Sequence, residues 1–271
     1  MAYKPAPITH DPSELDYRLA VPPKRYRGRT QNISLPIPSS FDEADVSDKP
    51  SFIRYNPIFR RFTRDDIKDI SARYHSRLEA MLAVDDAVKQ IVKTLKDTGQ
   101  LGRTVIIFTS DNGYLNGEHR IRAGKYYAYE PSIRVPLVIL GPGLLRGVTQ
   151  STEVENIDLA PTILQLAHAK PLRLMDGRSL VPLMRNRSLR WNRDLLLETG
   201  ENPIYPAVYQ GIRTPRYLYV EYSTGDRELY DVETDPDELT NRYNDAHFRK
   251  IQAYLHQHLA ILRQCAGASC R

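Results

Sequence analysis

Two adjacent oxygen-bearing side chains follow a strongly apolar run in the middle of the chain. Asp111 and Asn112 come soon after residues 104–109, which are all β-branched or aromatic. Ligand sites in open α/β sheets form at the carboxyl ends of strands, so a carboxylate and an amide oxygen would emerge together there. Such oxygens suit Ca²⁺ or Mg²⁺, whereas a zinc site would offer His or Cys. A simple Asp-Asn-Gly turn that ends a strand explains the same residues equally well.

A loop rich in basic residues follows this pair. It contains His119, Arg120 and Arg122, and Lys125 comes thirteen residues after Asn112. Positioned Lys, Arg and protonated His groups neutralise the charge that develops on a sulfuryl or phosphoryl group during transfer. The same residue types are also common as solvated surface groups. The loop is therefore compatible with an oxyanion site and with an ordinary charged surface.

The elements that must carry these residues alternate between helix and strand from about residue 65 to residue 185. Residues 65–98 predict a long helix, and a helix beginning near Asp158 has a proline in its opening turn. Residues 104–109 and 135–140 predict strands buried on both faces, which is typical of a parallel sheet. The long helix carries an apolar stripe that we expect to pack into the core: Tyr74, Leu78, Met81, Val84, Val88, Ile91 and Leu95.

Both ends of the chain differ from this middle part. Residues 1–61 are proline-rich and irregular, which favours a segment that drapes over a core built elsewhere. Beyond Trp191, short strand patterns such as residues 217–222 predict a small antiparallel sheet, and residues 246–262 predict a closing amphipathic helix. The predicted fold class is α/β, with a parallel-sheet sandwich in residues 1–190 and a small antiparallel sheet with a terminal helix in residues 191–271.

The composition excludes several classes of protein. With 271 residues, 41% hydrophobic and 26% charged, the chain is typical of a soluble globular protein, and we expect no membrane association. The net charge of +5 comes without a recognition motif, so we expect no nucleic-acid partner. The first twenty residues lack the apolar core of a signal peptide, and the compartment stays open. Cys265 and Cys270 exclude a disulfide scaffold and a four-cysteine zinc site, while their own pairing stays open.

Residues 104–143, TVIIFTSDNGYLNGEHRIRAGKYYAYEPSIRVPLVILGPG, resemble the C-terminal signature of the sulfatases, which are sulfuric-ester hydrolases of the alkaline-phosphatase-like superfamily. Further segments resemble sulfatase sequences in the same order: FDEADVSDKP, YHSRLEAMLAVDDAVKQIVKTLKDTGQL, ENIDLAPTILQLA and ELYDVETDPDELTN. The resemblance extends from about Pro36 to about Asn241 and is highly specific as a set. It implies a partial alkaline-phosphatase-like sandwich and the hydrolysis of sulfate esters, including aryl sulfates.

The resemblance also implies roles for individual residues. Asp111 and Asn112 match the family's Asp-Asn pair, which holds calcium together with two further aspartates. Lys125 matches the lysine that contacts the sulfate. His119 belongs to a Gly-Glu-His element at the pocket rim, which implies substrate contact or protonation of the leaving group. His10 is interpreted either as a remnant of the family's Pro-His element near the sulfate or as a plain loop histidine.

The sequence departs from the family pattern at the nucleophile. Sulfatases use a formylglycine made from the cysteine of a Cys-x-Pro-x-Arg motif, and no cysteine precedes Cys265. The family's aspartate pair on the first strand is absent as well, and two donors do not satisfy the roughly six to eight oxygens that Ca²⁺ prefers. We therefore expect an incomplete calcium site, no formylglycine and no activity in this chain alone, which corresponds to the C-terminal part of a sulfatase.

Two alternatives stay open at this point. A phosphodiester or phosphonate monoester hydrolase of the same superfamily would share the Asp-Asn pattern and differ in its substrate. A non-catalytic truncated product is the other alternative, in which the surviving part binds a partner or has no function. Besides the sulfate-ester substrate, the predicted partner is a missing N-terminal half, and whether it is encoded separately, frameshifted or lost stays open. We expect poor solubility without it because a sheet lacking its first strands exposes an edge.

Overall fold

The computed structural model describes residues 20–191, 193–200 and 208–270, so His10 lies outside the described residues. The described helices, apart from short 3₁₀ turns, are α1 (Ser51–Arg54), α2 (Arg64–Asp97), α3 (Glu130–Ile133), α4 (Leu159–Leu166), α5 (Val181–Arg185) and α6 (Arg249–Leu262). The described strands are β1 (Ile106–Thr109), β2 (Leu137–Leu140), β3 (Leu195–Glu198), β4 (Tyr209–Arg213), β5 (Tyr217–Tyr222) and β6 (Arg227–Asp231). No described helix combines the length and the apolar character that crossing a membrane requires.

Helix α2 begins and ends where the sequence predicts. Thr63 and Asp66 form a capping box, in which each side chain accepts a hydrogen bond from the other residue's backbone N–H. Gly99 follows the helix with φ at +67°, the left-handed conformation that commonly ends helices. The expected burial of its apolar stripe is wrong for the second half of the helix, because Met81 and Ile91 are 48% and 57% exposed. Periodicity identifies an apolar face, but it does not supply the layer that would cover it.

Strands β1 and β2 pair antiparallel, with Ile107 opposite Ile139, which corrects the parallel arrangement expected from their apolar runs. Burial on both faces is also corrected. Leu137 and Ile139 pack on a core containing Leu180, whereas Val138 on the opposite face is 52% exposed. An apolar run indicates burial. Whether two strands pair parallel or antiparallel depends instead on the path of the segment that connects them.

Strands β3 to β6 form the predicted antiparallel sheet, in that order. Tyr219 lies on the face that packs against Leu255 and Leu259 of α6. The neighbouring residues Leu218 and Val220 point to the other face and join a second core. A helix therefore covers one face of this sheet, and described residues from earlier in the chain, such as Val46 and Tyr129, cover the other.

The described part of the leading segment, residues 20–61, contributes side chains to that second core. Ile53 of α1 is buried in it together with Tyr129 and Tyr222. Gly28 is tied to α2 by a 2.6 Å hydrogen bond from its N–H to the Glu79 carboxylate. Because this single core contains residues from both sides of position 190, the domain boundary near that residue stays a prediction.

The two cysteines form a disulfide between Cys265 and Cys270, after the end of α6. The loop they enclose contacts a distant segment, because the Gly267 N–H donates to the Asp176 carboxylate at 2.6 Å. Gly267 has a φ of +59°, a left-handed conformation that favours glycine, and it lies against the Leu174 side chain. The disulfide loop thus fastens the end of the chain to the segment between α4 and α5.

Candidate functional site

The segment after β1 turns sharply and docks on α3. Ser110 donates its hydroxyl hydrogen to the Asn112 carbonyl at 2.8 Å. The N–H of Gly113 then donates to the Ser132 carbonyl at 2.9 Å. A Cβ at Gly113 would lie only 2.1 Å from the Pro131 carbonyl oxygen, so glycine is required for this close approach. The residues of this turn therefore fix the backbone position of Asn112, three residues after the end of β1.

Lys125 and Asn112 meet at the carboxyl end of β1. The Lys125 ammonium donates to the Asn112 side-chain oxygen at 2.7 Å, and Lys125 is exposed to solvent. The backbone carbonyl of Lys125 accepts a 2.7 Å hydrogen bond from the Ser132 hydroxyl. The structure thus brings together two of the predicted site residues, thirteen positions apart, on the same α3 support. A surface ammonium held beside an amide can bind an oxyanion.

Asp111, the other predicted metal ligand, is exposed beside them. Within the described ranges, no hydrogen bond or ion pair reaches its carboxylate. No group of three His, Cys, Asp or Glu side chains in those ranges could hold a metal ion. Asp111 and Asn112 would supply two oxygen ligands, whereas Ca²⁺ takes about six to eight. The described residues therefore do not by themselves fit a calcium ion.

His119 lies inside the protein, not at a pocket rim, which corrects the position expected for a substrate contact. Its side chain is 1% exposed, and its Nδ1 lies 2.7 Å from the Glu43 carboxylate. Its ring stacks on that of Tyr129 at 4.0 Å between centroids. Its Nε2 is buried without a hydrogen-bond partner among the described residues. The sequence pattern around His119 did not predict this burial, because its partner Glu43 lies 76 positions away in the chain.

The arginines of the basic loop have structural partners. Arg120 donates to the Glu43 carbonyl at 2.8 Å and, like His119, has a positive φ. Arg122 pairs with Asp66 of α2 at 3.0 Å. Burial alone would raise the pKa of Asp66, but hydrogen bonds from Arg60 and Thr63 outweigh it and lower that pKa to about 2. Among the basic residues predicted in this loop, all of which are described, the exposed lysine is the one left for a ligand.

Helix α2 contributes a residue that the sequence analysis missed. The Arg77 guanidinium lies 3.3 Å from the centre of the Tyr114 ring and donates to the Asn116 side chain at 3.1 Å. The Glu118 carboxylate accepts the Asn116 N–H at 2.5 Å, and burial raises the pKa of Glu118. Arg73 and Arg77, one helical turn apart on an otherwise amphipathic helix, were the available signal. These contacts hold the turn between Asn112 and Lys125.

Comparison with known proteins identifies the family of this chain. The family model described as sulfatase matches residues 24–169, and the one described as N-sulphoglucosamine sulphohydrolase, C-terminal, matches residues 117–265. This chain belongs to the sulfatase family. The resemblance read from its motifs is therefore confirmed, and the matches span both predicted parts of this sulfatase chain.

Its relatives are much longer proteins. An arylsulfatase of Volvox carteri is 34% identical over 262 residues, which cover 84% of this chain and 39% of the relative. The N-acetylglucosamine-6-sulfatase of Homo sapiens is 33% identical over 243 residues, which cover 77% of this chain and 44% of the relative. The sulfatase chain thus spans about two fifths of the length of these curated relatives.

Solved structures confirm the α/β, alkaline-phosphatase-like fold class. One is a protein in complex with its substrate D-glucosamine-2-N,6-O-disulfate, with a TM-score of 0.67 at 30% identity over 71% of this chain and 40% of that one. Another is the phosphonate monoester hydrolase of Agrobacterium radiobacter, with a TM-score of 0.64 at 26% identity over 75% of this chain and 44% of that one. Both similarities extend over most of the sulfatase chain.

Proposed function

We propose that the whole protein hydrolyses sulfate esters and that this chain supplies part of its sulfate-binding site. The observation that carries the proposal is the 2.7 Å hydrogen bond between Lys125 and Asn112 at the end of β1. An ammonium at this position would donate to a sulfate oxygen and neutralise charge as the sulfur–oxygen bond to the leaving alcohol breaks. The Asn112 amide would orient that ammonium and, through its N–H₂ group, the sulfate.

We propose that the chain alone does not catalyse this reaction. Its 271 residues contain no Cys-x-Pro-x-Arg motif, and its cysteines, Cys265 and Cys270, are joined to each other. Asp111 and Asn112 are proposed to contribute two oxygens to a calcium site whose other ligands come from elsewhere. The Asn112 oxygen would use its second lone pair for this, because the first accepts the hydrogen bond from Lys125. No step of the reaction is assigned to calcium here, because two ligands do not make a site.

The relatives support a substrate class for the whole protein. Their names include arylsulfatase and N-acetylglucosamine-6-sulfatase, and one solved structure holds a sulfated glucosamine. We propose sulfate monoesters of amino sugars or phenols as the substrates. In both cases the group that Lys125 would bind is the sulfate, so the same residue serves either substrate.

The test uses NMR titration to measure the affinity of the purified chain for inorganic sulfate and for phenyl sulfate. We expect Lys125→Ala to weaken binding at least tenfold, because it removes the donor at the site. The matched control is Lys89→Ala, which removes an exposed lysine from α2. Equal affinity in both variants would refute the assignment of Lys125.

A second measurement tests inactivity. We expect no turnover of an aryl sulfate by the 271-residue chain, with or without added Ca²⁺. Rapid Ca²⁺-dependent turnover that disappears in Lys125→Ala would contradict the proposal. If the DNA before the Met1 codon encodes Cys-x-Pro-x-Arg in any frame, a truncated or frameshifted gene explains the chain. Without it, the alternatives of a gene fragment and of a split protein gain support.

Phosphonate monoester hydrolysis is the second candidate, favoured by the similarity to the Agrobacterium radiobacter enzyme. A phosphonate monoester also presents oxyanions to Lys125, so the geometry of this pair does not distinguish the two substrates. Comparing the affinities of phenyl sulfate and phenyl phosphonate for the chain would separate them. Tighter binding of the phosphonate would favour the second candidate.

A further inference from the structure

Tyr129 stands between the candidate site and the C-terminal sheet. Its side chain is fully buried, with one face of the ring stacked on His119 at 4.0 Å. Its hydroxyl donates to the Glu228 carboxylate of β6 at 2.8 Å. Its backbone carbonyl accepts the N–H of Ser132 at 2.8 Å and so starts α3. One residue thus connects β6 to the helix on which the site rests.

Glu228 is a buried carboxylate that the proposed reaction does not use. It is 0% exposed and accepts three tyrosine hydroxyls, from Tyr129 at 2.8 Å, Tyr222 at 2.5 Å and Tyr230 at 2.6 Å. Burial raises the pKa of Glu228, although the three hydroxyls and Lys49 oppose that shift. A buried acceptor with several donors fixes the position of each donor, because leaving any of them unpaired is costly.

Two further contacts join the same C-terminal region to the start of α3. The N–H of Glu130 donates to the buried Glu238 carboxylate at 2.9 Å. The Glu130 carboxylate accepts a 2.7 Å hydrogen bond from Arg213 of β4. Both contacts hold the residue next to Tyr129, so the beginning of α3 is fixed from three directions by the C-terminal sheet and the segment after it.

Ser132 of α3 contacts the backbone near both members of the site. The Ser132 hydroxyl donates to the Lys125 carbonyl, and the Ser132 carbonyl accepts the Gly113 N–H. Gly113 directly follows Asn112, so one serine of α3 sets the backbone positions on both sides of the Lys125 to Asn112 hydrogen bond.

We infer that Tyr129 is a positioning residue for the Lys125–Asn112 pair, through which Glu228 of the C-terminal sheet holds the sulfate-binding group in place. Tyr129 is buried and does not contact substrate, so its role is to fix α3. The assignment of the Lys125–Asn112 pair as a sulfate site rests on the proposed function. The hydrogen bonds that connect Glu228 through Tyr129 to Ser132 are independent of it. The small sheet is thereby part of the site.

The test compares Tyr129→Phe with Tyr230→Phe. Each variant removes one hydroxyl from the same Glu228 oxygen, but Tyr230 lies on β6 itself, so its hydrogen bond does not reach α3. Two properties are measured by NMR: the affinity for inorganic sulfate and the exchange rates of the Gly113 and Tyr114 amide hydrogens. Those amides donate to backbone carbonyls of α3, so their exchange reports how firmly the site rests on that helix.

For Tyr129→Phe we expect about fivefold weaker sulfate binding and about fivefold faster exchange at both amides, consistent with losing one buried hydrogen bond. For Tyr230→Phe we expect less than about a twofold change in either property, at a similar loss of global stability. Equal effects of the two variants would overturn the inference. If the unaltered chain binds no sulfate through Lys125, the proposed function fails, and the exchange rates alone decide the positioning role.

A second pair of variants covers the case in which Tyr129→Phe does not fold. Arg213→Ala removes the contact to Glu130, and Arg216→Ala removes a 2.7 Å ion pair to Asp231 in the same sheet. We expect faster exchange at Gly113 only in Arg213→Ala. The same exchange rate in both variants would overturn the inference as well.

Discussion

The inner strand β5 of the four-stranded sheet is buried along all but its first residue, whereas every residue of β1 and β2 is at least partly exposed. Both sheets are rich in apolar side chains. The difference lies in their surroundings, because α6 and a large core cover the two faces of the four-stranded sheet. The β1–β2 pair packs along only one of its faces on a core that contains Leu180. The candidate site lies at the end of this less covered sheet.

The largest expected effect comes from deleting a side chain in the better covered sheet. Leu229→Ala removes a fully buried leucine that packs with Leu255 and Leu259, and we expect it to lower the free energy of unfolding by about 3 kcal/mol. Leu140→Ala makes the same change in β2, where the side chain is 45% exposed, and should cost less than about 1 kcal/mol. Urea denaturation measures both. Similar losses would show that the two sheets are equally well packed.

The next effect concerns the disulfide that fastens the end of the chain. Replacing Cys265 and Cys270 by serine should lower the free energy of unfolding by about 2 kcal/mol, since the cross-link closes only a short loop. Amide exchange should also increase at Gly267, which donates to Asp176. The matched control is Ser269→Ala, which alters the same loop without opening the disulfide. An equal loss of stability in that control would mean that the cross-link itself contributes little.

A pH-dependent effect is expected at Glu155, the neighbour of Val154 in the core that covers one face of β2. Burial raises the pKa of Glu155 to about 7, with Arg193 opposing the shift and Asp158 adding to it. The folded state therefore binds more protons than the unfolded state between pH 4.5 and 7, so stability is complete below that range and is lost as the pH rises through it.

Glu155→Gln should remove this loss, because the amide does not ionise. We expect the variant to exceed the unaltered chain in free energy of unfolding by about 3 kcal/mol at about pH 8, since each unit of pKa corresponds to about 1.4 kcal/mol, and to have no advantage at about pH 4. Thermal unfolding at several pH values measures the difference, with Glu153→Gln as the nearby control. A pH-independent difference between Glu155→Gln and the unaltered chain would contradict this assignment.

The smallest effect on stability is expected at the exposed stripe of α2. Ile91 is 57% exposed, so Ile91→Lys should change the free energy of unfolding by less than about 0.5 kcal/mol while reducing self-association. Gln90→Lys adds the same charge on the same helix outside the stripe. Sedimentation velocity compares the two. Self-association that is equal in both variants would mean that the stripe does not mediate it.

Elements with local signals were predicted closely. The apolar periodicity of α2, with Gly99 after it, and the apolar run of β5 place both elements within one residue of their observed bounds. Each of these elements depends on residues close in sequence, which is why periodicity and spacing were sufficient. Asn112 was singled out by its place after an apolar run and Lys125 by the family resemblance, and the fold brings the two side chains into contact.

Features that depend on distant partners were not predicted. His119 looked like a rim residue, but Glu43 and Tyr129 enclose it from elsewhere in the chain. The antiparallel pairing of β1 with β2 was missed for a related reason, since apolar content carries no direction. The sequence did not single out Glu228, because a carboxylate between an arginine and a leucine is typical of an ordinary position in a strand.

Family membership, the bounds of the main elements and the absence of a Cys-x-Pro-x-Arg motif within these 271 residues all follow from the amino-acid sequence, because motifs and periodicity are local properties. Which charged groups are buried, and which one of the basic loop is left for a ligand, follows instead from the folded arrangement. That outcome depends on long-range packing, since Lys125 stays exposed while Glu43 and Glu228 are enclosed by residues far away in the chain.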